Sequence, residues 1–241
     1  MNYAILAGGH GSRFQREGVM TPKPMVEVGG KPMIERLIEV LQRCGAETIA
    51  ISANPRLEGF VDFLEGLARR HGNLSVRPII TENSYESLLA ATDGLDNRFI
   101  AMTCDTIFPV DEFAEYSRRV VGMADDEVVM GLSRYIDDAS PLYARIGGNG
   151  EIIDYRYGGE PFADGAIVSA GLYGLSRASV EAVRGSDYYP TSLSDFQRTL
   201  AVRTPVRVMP YEFSTAFDVD NCHDRVKADE FLSSMKSSGK I

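Results

Sequence analysis

The first hundred residues alternate apolar runs with amphipathic stretches, and that alternation confines the chain to a small set of folds. Tyr3–Ala7, Thr48–Ala53, Leu74–Ile80 and Phe99–Thr103 read as strands. Between them Pro32–Cys44, Leu57–Arg70 and Ser84–Asp93 read as helices, the first with Met33, Ile34, Leu37, Ile38 and Leu41 on one face. A β-α-β-α-β order predicts a parallel sheet covered on both faces by helices. In open sheets of this kind ligands bind beyond the carboxyl ends of the strands. The second half changes character. Glu127–Ser133, Ile167–Leu175 and Val206–Met209 read as strands, and Tyr143–Tyr157 as a hairpin turning at Gly147-Gly148-Asn149-Gly150. Ser176–Arg184 reads as a short helix and Asn221–Met235 as a terminal one capped by Asn221, with Ser233–Ile241 a polar, frayed tail. The prediction is one α/β domain over residues 1–241 with a mixed, mostly parallel sheet.

Charge and composition exclude several function classes. The net charge of −9 argues against nucleic-acid partners, which need a basic surface. No apolar run approaches the ~18 residues of a membrane span, so no membrane partner is expected. The opening Met-Asn-Tyr-Ala-Ile-Leu-Ala lacks a basic n-region and reads as a strand, not a leader. Cys44, Cys104 and Cys222 are odd in number and not in C-x-x-C spacing, which points to buried thiols in a reducing cytoplasm. His71 and His223 lie on helix-like segments without a partner pattern. Lysines are few, and none occurs between Lys31 and Lys227.

Directly after the first strand runs Leu6-Ala7-Gly8-Gly9-His10-Gly11-Ser12-Arg13. Glycines there let backbone N–H groups approach an anion, and Arg13 adds a fork suited to phosphate oxygens. No Gly-Lys-Ser/Thr follows, and the glycine spacing is wrong for a dinucleotide loop. Alone, the segment is as well read as a structural turn. It continues into Thr21-Pro22-Lys23-Pro24-Met25 and Gly29-Gly30-Lys31-Pro32-Met33. Flanking prolines restrict Lys23, a rigid mount suited to a lysine aimed at phosphate.

These elements, in this order and spacing, resemble the sugar-phosphate nucleotidyltransferases, also called nucleotide-sugar pyrophosphorylases. The resemblance implies a three-layer Rossmann-like (GT-A-like) fold, with a nucleotide-binding half over about 1–110 and an acceptor-binding half over about 111–241. It implies nucleotide contacts from Leu6, Ala7, Gly8, Gly9, Gly11, Ser12, Arg13 and Lys23, with Arg13, Lys23 and Asp105 catalytic. Met102-Thr103-Cys104-Asp105 resembles the strand-end aspartate that binds Mg2+, and Ala216-Phe217-Asp218-Val219-Asp220 the second acidic motif. Asp218 is the expected second ligand and Asp220 the reserve; alternation puts both on one face. Read from the residues alone, Asp105 serves equally as a turn residue or N-cap, Asp220 as a cap for the terminal helix, and Asp218 as a solvated side chain. Thr81–Leu88 occupies the base-reading slot, with Glu82, Asn83 and Ser87 as candidates; a helix N-cap at Asn83 or Ser84 accounts for the segment equally well.

The chain departs from that family where a hairpin lysine usually holds the sugar phosphate. Here stands Ile153-Asp154-Tyr155-Arg156-Tyr157-Gly158-Gly159-Glu160-Pro161. Arg145 and Arg156 are the candidate replacements, or plain surface arginines. Gly171, in Ser169-Ala170-Gly171-Leu172-Tyr173, is the expected clearance for a sugar ring. The implied partners are an NTP and a phosphorylated small molecule, with base, oligomeric state and pathway left open. In-line attack of the acceptor phosphate on the α-phosphorus, without a general base, is the implied chemistry. Molybdenum-cofactor nucleotidyltransferases share the Leu-Ala-Gly-Gly start, but the separation of Arg13 and Lys23 favours the sugar-phosphate branch. Alcohol phosphates such as phosphocholine, and a non-catalytic nucleotide-binding regulator, are the remaining alternatives.

Overall fold

Every residue of strand β1 (Asn2–Ala7) is buried, and its pleat feeds two cores at once. Tyr3, Ile5 and Ala7 enter one apolar cluster, Ala4 and Leu6 the other. This is a computed structural model, and it describes residues 1–237 apart from Asn97, Ala139 and Asp164. After β1 come helix α1 (Ser12–Arg16), the short pair β2 (Glu27–Val28) and β3 (Lys31–Pro32), and helix α2 (Met33–Arg43). Then follow β4 (Thr48–Ala53), α3 (Phe60–His71), β5 (Leu74–Pro78), α4 (Ser84–Thr92) and β6 (Arg98–Thr103). β1 runs parallel to β4 and β6, and β4 to β5, as the alternation predicts. Ile34, Leu37, Ile38 and Leu41 of α2 and Phe60 and Leu64 of α3 pack under the Tyr3 face. Tyr85 and Leu88 of α4 cover the Leu6 face.

The chain continues through β7 (Thr106–Ile107), α5 (Val110–Val121), β8 (Glu127–Ser133), β9 (Leu142–Ile146) and β10 (Ile152–Tyr157). It ends with β11 (Val168–Ser176), α6 (Arg177–Arg184), α7 (Leu193–Arg203), β12 (Arg207–Phe213), β13 (Phe217–Asp218) and α8 (Cys222–Ser237). The nine-stranded sheet has the path β10-β9-β11-β6-β1-β4-β5, with β8 beside β11 and β12 beside β8. β11 is antiparallel to β6 and β8, which makes the sheet mixed. The three-layer α/β class expected from the sequence is the class observed, with α2, α3 and α5 on one face and α4, α6 and α7 on the other.

Several boundaries differ for local reasons. Helix α3 starts at Phe60, not Leu57, because Asn54 Oδ1 accepts the amide of Arg56 at 3.0 Å and Gly59 takes a left-handed turn. β5 stops at Pro78, leaving Ile79 and Ile80 in the loop beyond the strand end. Two helices were not anticipated. α5 carries Asp111 and Glu112 in its first turn and Arg118 and Arg119 in its last, which complements the helix dipole. α7 opens on Ser192, whose side chain accepts the amide of Asp195 at 3.0 Å. Both signals lie in the sequence. α8 runs on through Ser237, two residues past the expected end; the remainder of the frayed tail lies outside the described residues.

β11 is packed so closely that one glycine has no room to grow. A methyl at Gly174 would sit 2.4 Å from Val120 Cγ2 and 2.9 Å from the Val129 carbonyl oxygen. Gly174→Ala should therefore destabilise the fold by about 1–3 kcal/mol in urea unfolding. Gly148→Ala, with nothing within 4 Å of the added methyl, should not.

Candidate functional site

Behind the loop that leaves β1, the chain makes room for one lysine. Gly11 has φ +67°, and a Cβ there would lie 2.7 Å from Lys23 Cβ. Pro22 and Pro24 flank Lys23 in a single 3-10 turn, closed by the Met25 amide on the Pro22 carbonyl at 2.8 Å. The lysine is 8% exposed, and its ammonium bonds both Asp105 and Asp220. Arg13, from α1, bonds Asp220 as well.

The acids arrive from far apart in the sequence. β13 pairs antiparallel with β7, placing Asp218 opposite Thr106, and the Val219 amide donates to the Asp105 carbonyl at 3.0 Å. Thr106 Oγ1 donates to Asp218 Oδ1 at 2.7 Å and lies 2.9 Å from Thr103 Oγ1. Gly171, with φ +68°, passes beneath: a Cβ would meet Thr106 Oγ1 at 2.8 Å and Thr103 Oγ1 at 3.0 Å. Its missing side chain leaves room for these protein hydroxyls and, at 3.7 Å, for Asp218 Oδ1.

Electrostatics separate the carboxylates. Burial, the largest single influence, works to raise the Asp105 carboxyl, but the Lys23 ammonium together with local hydrogen bonding holds the group below its usual range. Asp218 is pushed up to about 7, first by the protein crowding it and then by the charge of Asp105, against the Thr106 hydrogen bond. Its carboxylate opens onto a cleft, so solvent reaches it from that side while protein surrounds the others. Asp105 Oδ1 is buried and accepts no hydrogen bond.

That orphaned oxygen is the test for a divalent cation. Two cationic side chains face three carboxylates, all hard oxygen donors of the kind such ions take. Among the described residues no three acidic, histidine or cysteine side chains form a closed cation cage; the Lys23 ammonium stands where positive charge is needed. The residues fit a cation bound at one open edge, with further positions for ligand oxygens.

The cluster forms a wall between two clefts. One, of about 360 Å3, is lined by Leu6, Gly8, Gly9, Lys23 and Asp105 together with Glu82, Asn83 and Ser87, and a Cβ at Gly8 would lie 3.5 Å from Ser87 Oγ. The other, of about 280 Å3, is lined by Arg13, Asp137, Ser169, Asp218, Asp220 and Asp224. Ala7 is wholly buried in the sheet, so it cannot touch a ligand by its side chain. Gly11 and Ser12 are on neither lining; Gly11 acts through Lys23. Asn83 lines the first cleft, but its Oδ1 accepts the Glu86 amide at 2.9 Å, so the carboxamide caps α4. Ser87 Oγ is 2.6 Å from Thr81 Oγ1. Arg145 and Arg156 sit over the Phe162 ring, at 5.9 and 4.3 Å from its centroid, and neither lines the second cleft. Asp220 does not cap α8; Asn221 does, accepting the Asp224 amide at 2.9 Å.

Sequence reasoning missed Thr103 and Thr106, which orient Asp218, and Asn54 and Arg56 on the first cleft. Only Asn54 had a readable signal, an Asx turn after a strand. The cluster also predicts its own energetics. Lys23→Met should cost about 3–5 kcal/mol in chemical unfolding, because it strands Asp105 without a partner. Adding Asp105→Asn should recover most of that loss, and a double-mutant cycle measures the recovery.

With the geometry in place, relatives supply context. A family model described as the MobA-like NTP transferase domain matches residues 3–146. A mannose-1-phosphate guanyltransferase of Yarrowia lipolytica is 26% identical over 80% of this chain and 53% of its own length. Another, of Saccharomyces cerevisiae, is 33% identical over 49% of this chain and 35% of its own. The chain thus spans about half or less of the curated relatives it matches. Among solved structures, one from Bacillus anthracis, assigned provisionally as a glucose-1-phosphate thymidylyltransferase, superposes with TM-score 0.79 at 20% identity, covering 95% of this chain and 94% of the other. The inositol-1-phosphate CTP transferase of T. maritima follows at 0.74 and 17%, covering 98% and 96%. At such identities the likeness concerns the fold. The family model spans more than half of the chain and contains the glycine loop, Lys23 and Asp105, so this protein belongs to the MobA-like NTP transferase domain family.

Proposed function

We propose that the protein transfers a nucleoside monophosphate from an NTP to a sugar 1-phosphate, releasing pyrophosphate, with magnesium and in the cytoplasm. The observation that carries this reading is the wall itself: Lys23, Asp105, Asp218 and Asp220 converge between two clefts. Two substrates on opposite sides of one charged wall can bring their phosphates together there. The nucleotide half, about 1–110, and the acceptor half, about 111–241, share it. No helix among the described residues is long and apolar enough to cross a membrane. The three free thiols support a reducing compartment.

The roles follow from position. Glycines 8 and 9 leave the first cleft open for phosphates, and Lys23 faces them with a fixed positive charge. Arg13 lines the second cleft and bonds Asp220, so it adds positive charge for phosphate oxygens at the wall itself. Magnesium, when bound by Asp105 and Asp218 with Asp220 as the further candidate, supplies Lewis-acid charge at the phosphate oxygens. An oxygen of the acceptor phosphate attacks the α-phosphorus, and the bond to the bridging oxygen breaks, leaving as pyrophosphate. A monoester dianion needs no general base; positioning and charge carry the rate.

The proposed donor is GTP. Hydroxyls of Thr81 and Ser87 satisfy each other and Asn83 caps α4, which leaves Glu82 as the exposed carboxylate on that part of the first cleft. A carboxylate only accepts. Guanine is the one common base whose pairing edge offers two adjacent donors, N1–H and the 2-amino group. The relatives in yeasts are named guanyltransferases, which supports the same base.

Pyrophosphate release over five NTPs and a panel of sugar and alcohol phosphates tests the reading. GTP with a hexose 1-phosphate should give the signal, and Asp105→Ala should abolish it while circular dichroism stays unchanged. Magnesium should raise the melting temperature of the native protein but not of Asp105→Ala. Silence across the whole panel would sink the transferase reading. Glu82→Gln should lower kcat/KM for GTP roughly tenfold to a hundredfold, the worth of one bidentate base contact, and leave ITP less affected.

A further inference from the structure

The second cleft poses a charge problem if it receives a phosphorylated acceptor, as the reading above requires. Its lining includes Asp137, Asp138, Asp218, Asp220 and Asp224, and Arg13 is the cation among them. Magnesium on Asp218 together with Arg13 offsets only part of these five carboxylates, so a phosphate dianion entering the cleft is repelled unless further positive charge reaches it. The two arginines expected for this task are stacked on Phe162 instead.

One cation does stand against that wall. Lys227, on α8, bonds Asp137 and holds its ammonium 3.9 Å from Asp224 Oδ1. Both acids line the cleft. The Lys227 side chain is 23% exposed and stands behind these two acids without lining the cleft itself, so an incoming phosphate reaches it past Asp224, the looser of its two contacts. Asp224 in turn accepts the Asp220 amide at 3.1 Å, and Asp220 bonds Lys23 and Arg13. Lys227 is thus tied through Asp224 to the same charged cluster that divides the clefts. An ammonium has three donors, so it can keep Asp137 and still give a bond to an incoming oxygen.

We propose that Lys227 is the acceptor-binding cation of this chain: it receives the phosphate of the sugar phosphate in the second cleft. A lysine from the terminal helix thereby does the work for which the hairpin offers none. Asp137 orients it and, by holding a share of its charge, weakens its grip on the ligand. The alternative role is a strap, in which the Lys227–Asp137 pair only pins the segment after β8 to α8. The two roles differ in what Asp137→Asn does.

The test measures steady-state kinetics with GTP and mannose 1-phosphate, and calorimetric binding of mannose 1-phosphate and glucose 1-phosphate without nucleotide. Lys227→Met should raise KM for the acceptor roughly tenfold or more, as loss of a charge-assisted bond does, with kcat and KM for GTP within about twofold. Lys227→Arg should restore most of the affinity, which also answers a folding defect in the methionine variant. Asp137→Asn should lower KM for the acceptor. The inference is overturned by an unchanged acceptor KM in Lys227→Met, or by Asp137→Asn raising KM as Lys227→Met does. Binding separates this claim from the transferase reading. A native protein that binds sugar phosphate through Lys227 yet turns over no NTP refutes only the reaction; one that binds no sugar phosphate refutes the role of Lys227.

Discussion

A ladder of two residues on each side holds the site together. Thr106–Ile107 and Phe217–Asp218 pair antiparallel, and the Val219 amide closes on the Asp105 carbonyl. Without that pairing the strand-end aspartate and the late acidic motif have no reason to meet, since more than a hundred residues separate them. Ile107 and Val219 are buried in a small apolar cluster with Phe14, Val28, Met33 and Leu232. This cluster gathers the glycine-loop helix, the segment around Lys23 and the terminal helix onto the ladder. A modest patch of hydrophobic burial therefore fixes the position of the charged groups, which could not hold themselves together against their own desolvation.

Seen from the sheet, the arrangement follows from topology. Leu6 lies opposite both Ser52 and Thr103, so β1, β4 and β6 end at one level. The loops leaving those three strands bring Gly8, Asn54 and Asp105 to one edge, where open parallel sheets bind ligands. β11 crosses antiparallel beside β6 and carries Gly171 beneath Thr103 and Thr106. That glycine interrupts the register with β8 between Ser169 and Tyr173, a bulge that lets the strand pass under the hydroxyls. The groups around the clefts thus come from several elements, but each sits at a strand end or next to one.

How much of this could be read beforehand depends on the range of the interaction. The parallel half was legible because burial on both faces leaves apolar runs, and α2 because its apolar face repeats every turn. Lys23 was legible through its prolines. The meeting of Asp105 with the late acidic segment was legible only through likeness to other chains, because pairing partners leave no periodic trace. Thr103 and Thr106 were invisible for the same reason: a threonine in a strand looks like β propensity until its partner is known. That Arg145 and Arg156 lie over the Phe162 ring was not legible, because charge on a hairpin says nothing about which way the hairpin faces. α5 and α7 were missed although their caps and end charges were in view, since weight fell on apolar rhythm and not on helix ends.

The charge balance of the wall argues that it was shaped for ligands and not for stability. Replacing a buried ion pair such as Lys23–Asp105 with apolar residues is often neutral or favourable, and the partly exposed Arg13–Asp220 pair is worth little, so these pairs gain the fold little. The wall also carries one carboxylate more than its cations and leaves Asp105 Oδ1 without a partner, while burial first and the charge of Asp105 second push Asp218 up to about 7. A structural cluster would be expected to end neutral and satisfied. This one stays short of positive charge on the face between two clefts, while Lys227 waits behind two carboxylates of the same wall. A divalent ion on one side and a fixed ammonium on the other would complete it, and both are what two phosphates brought into contact require.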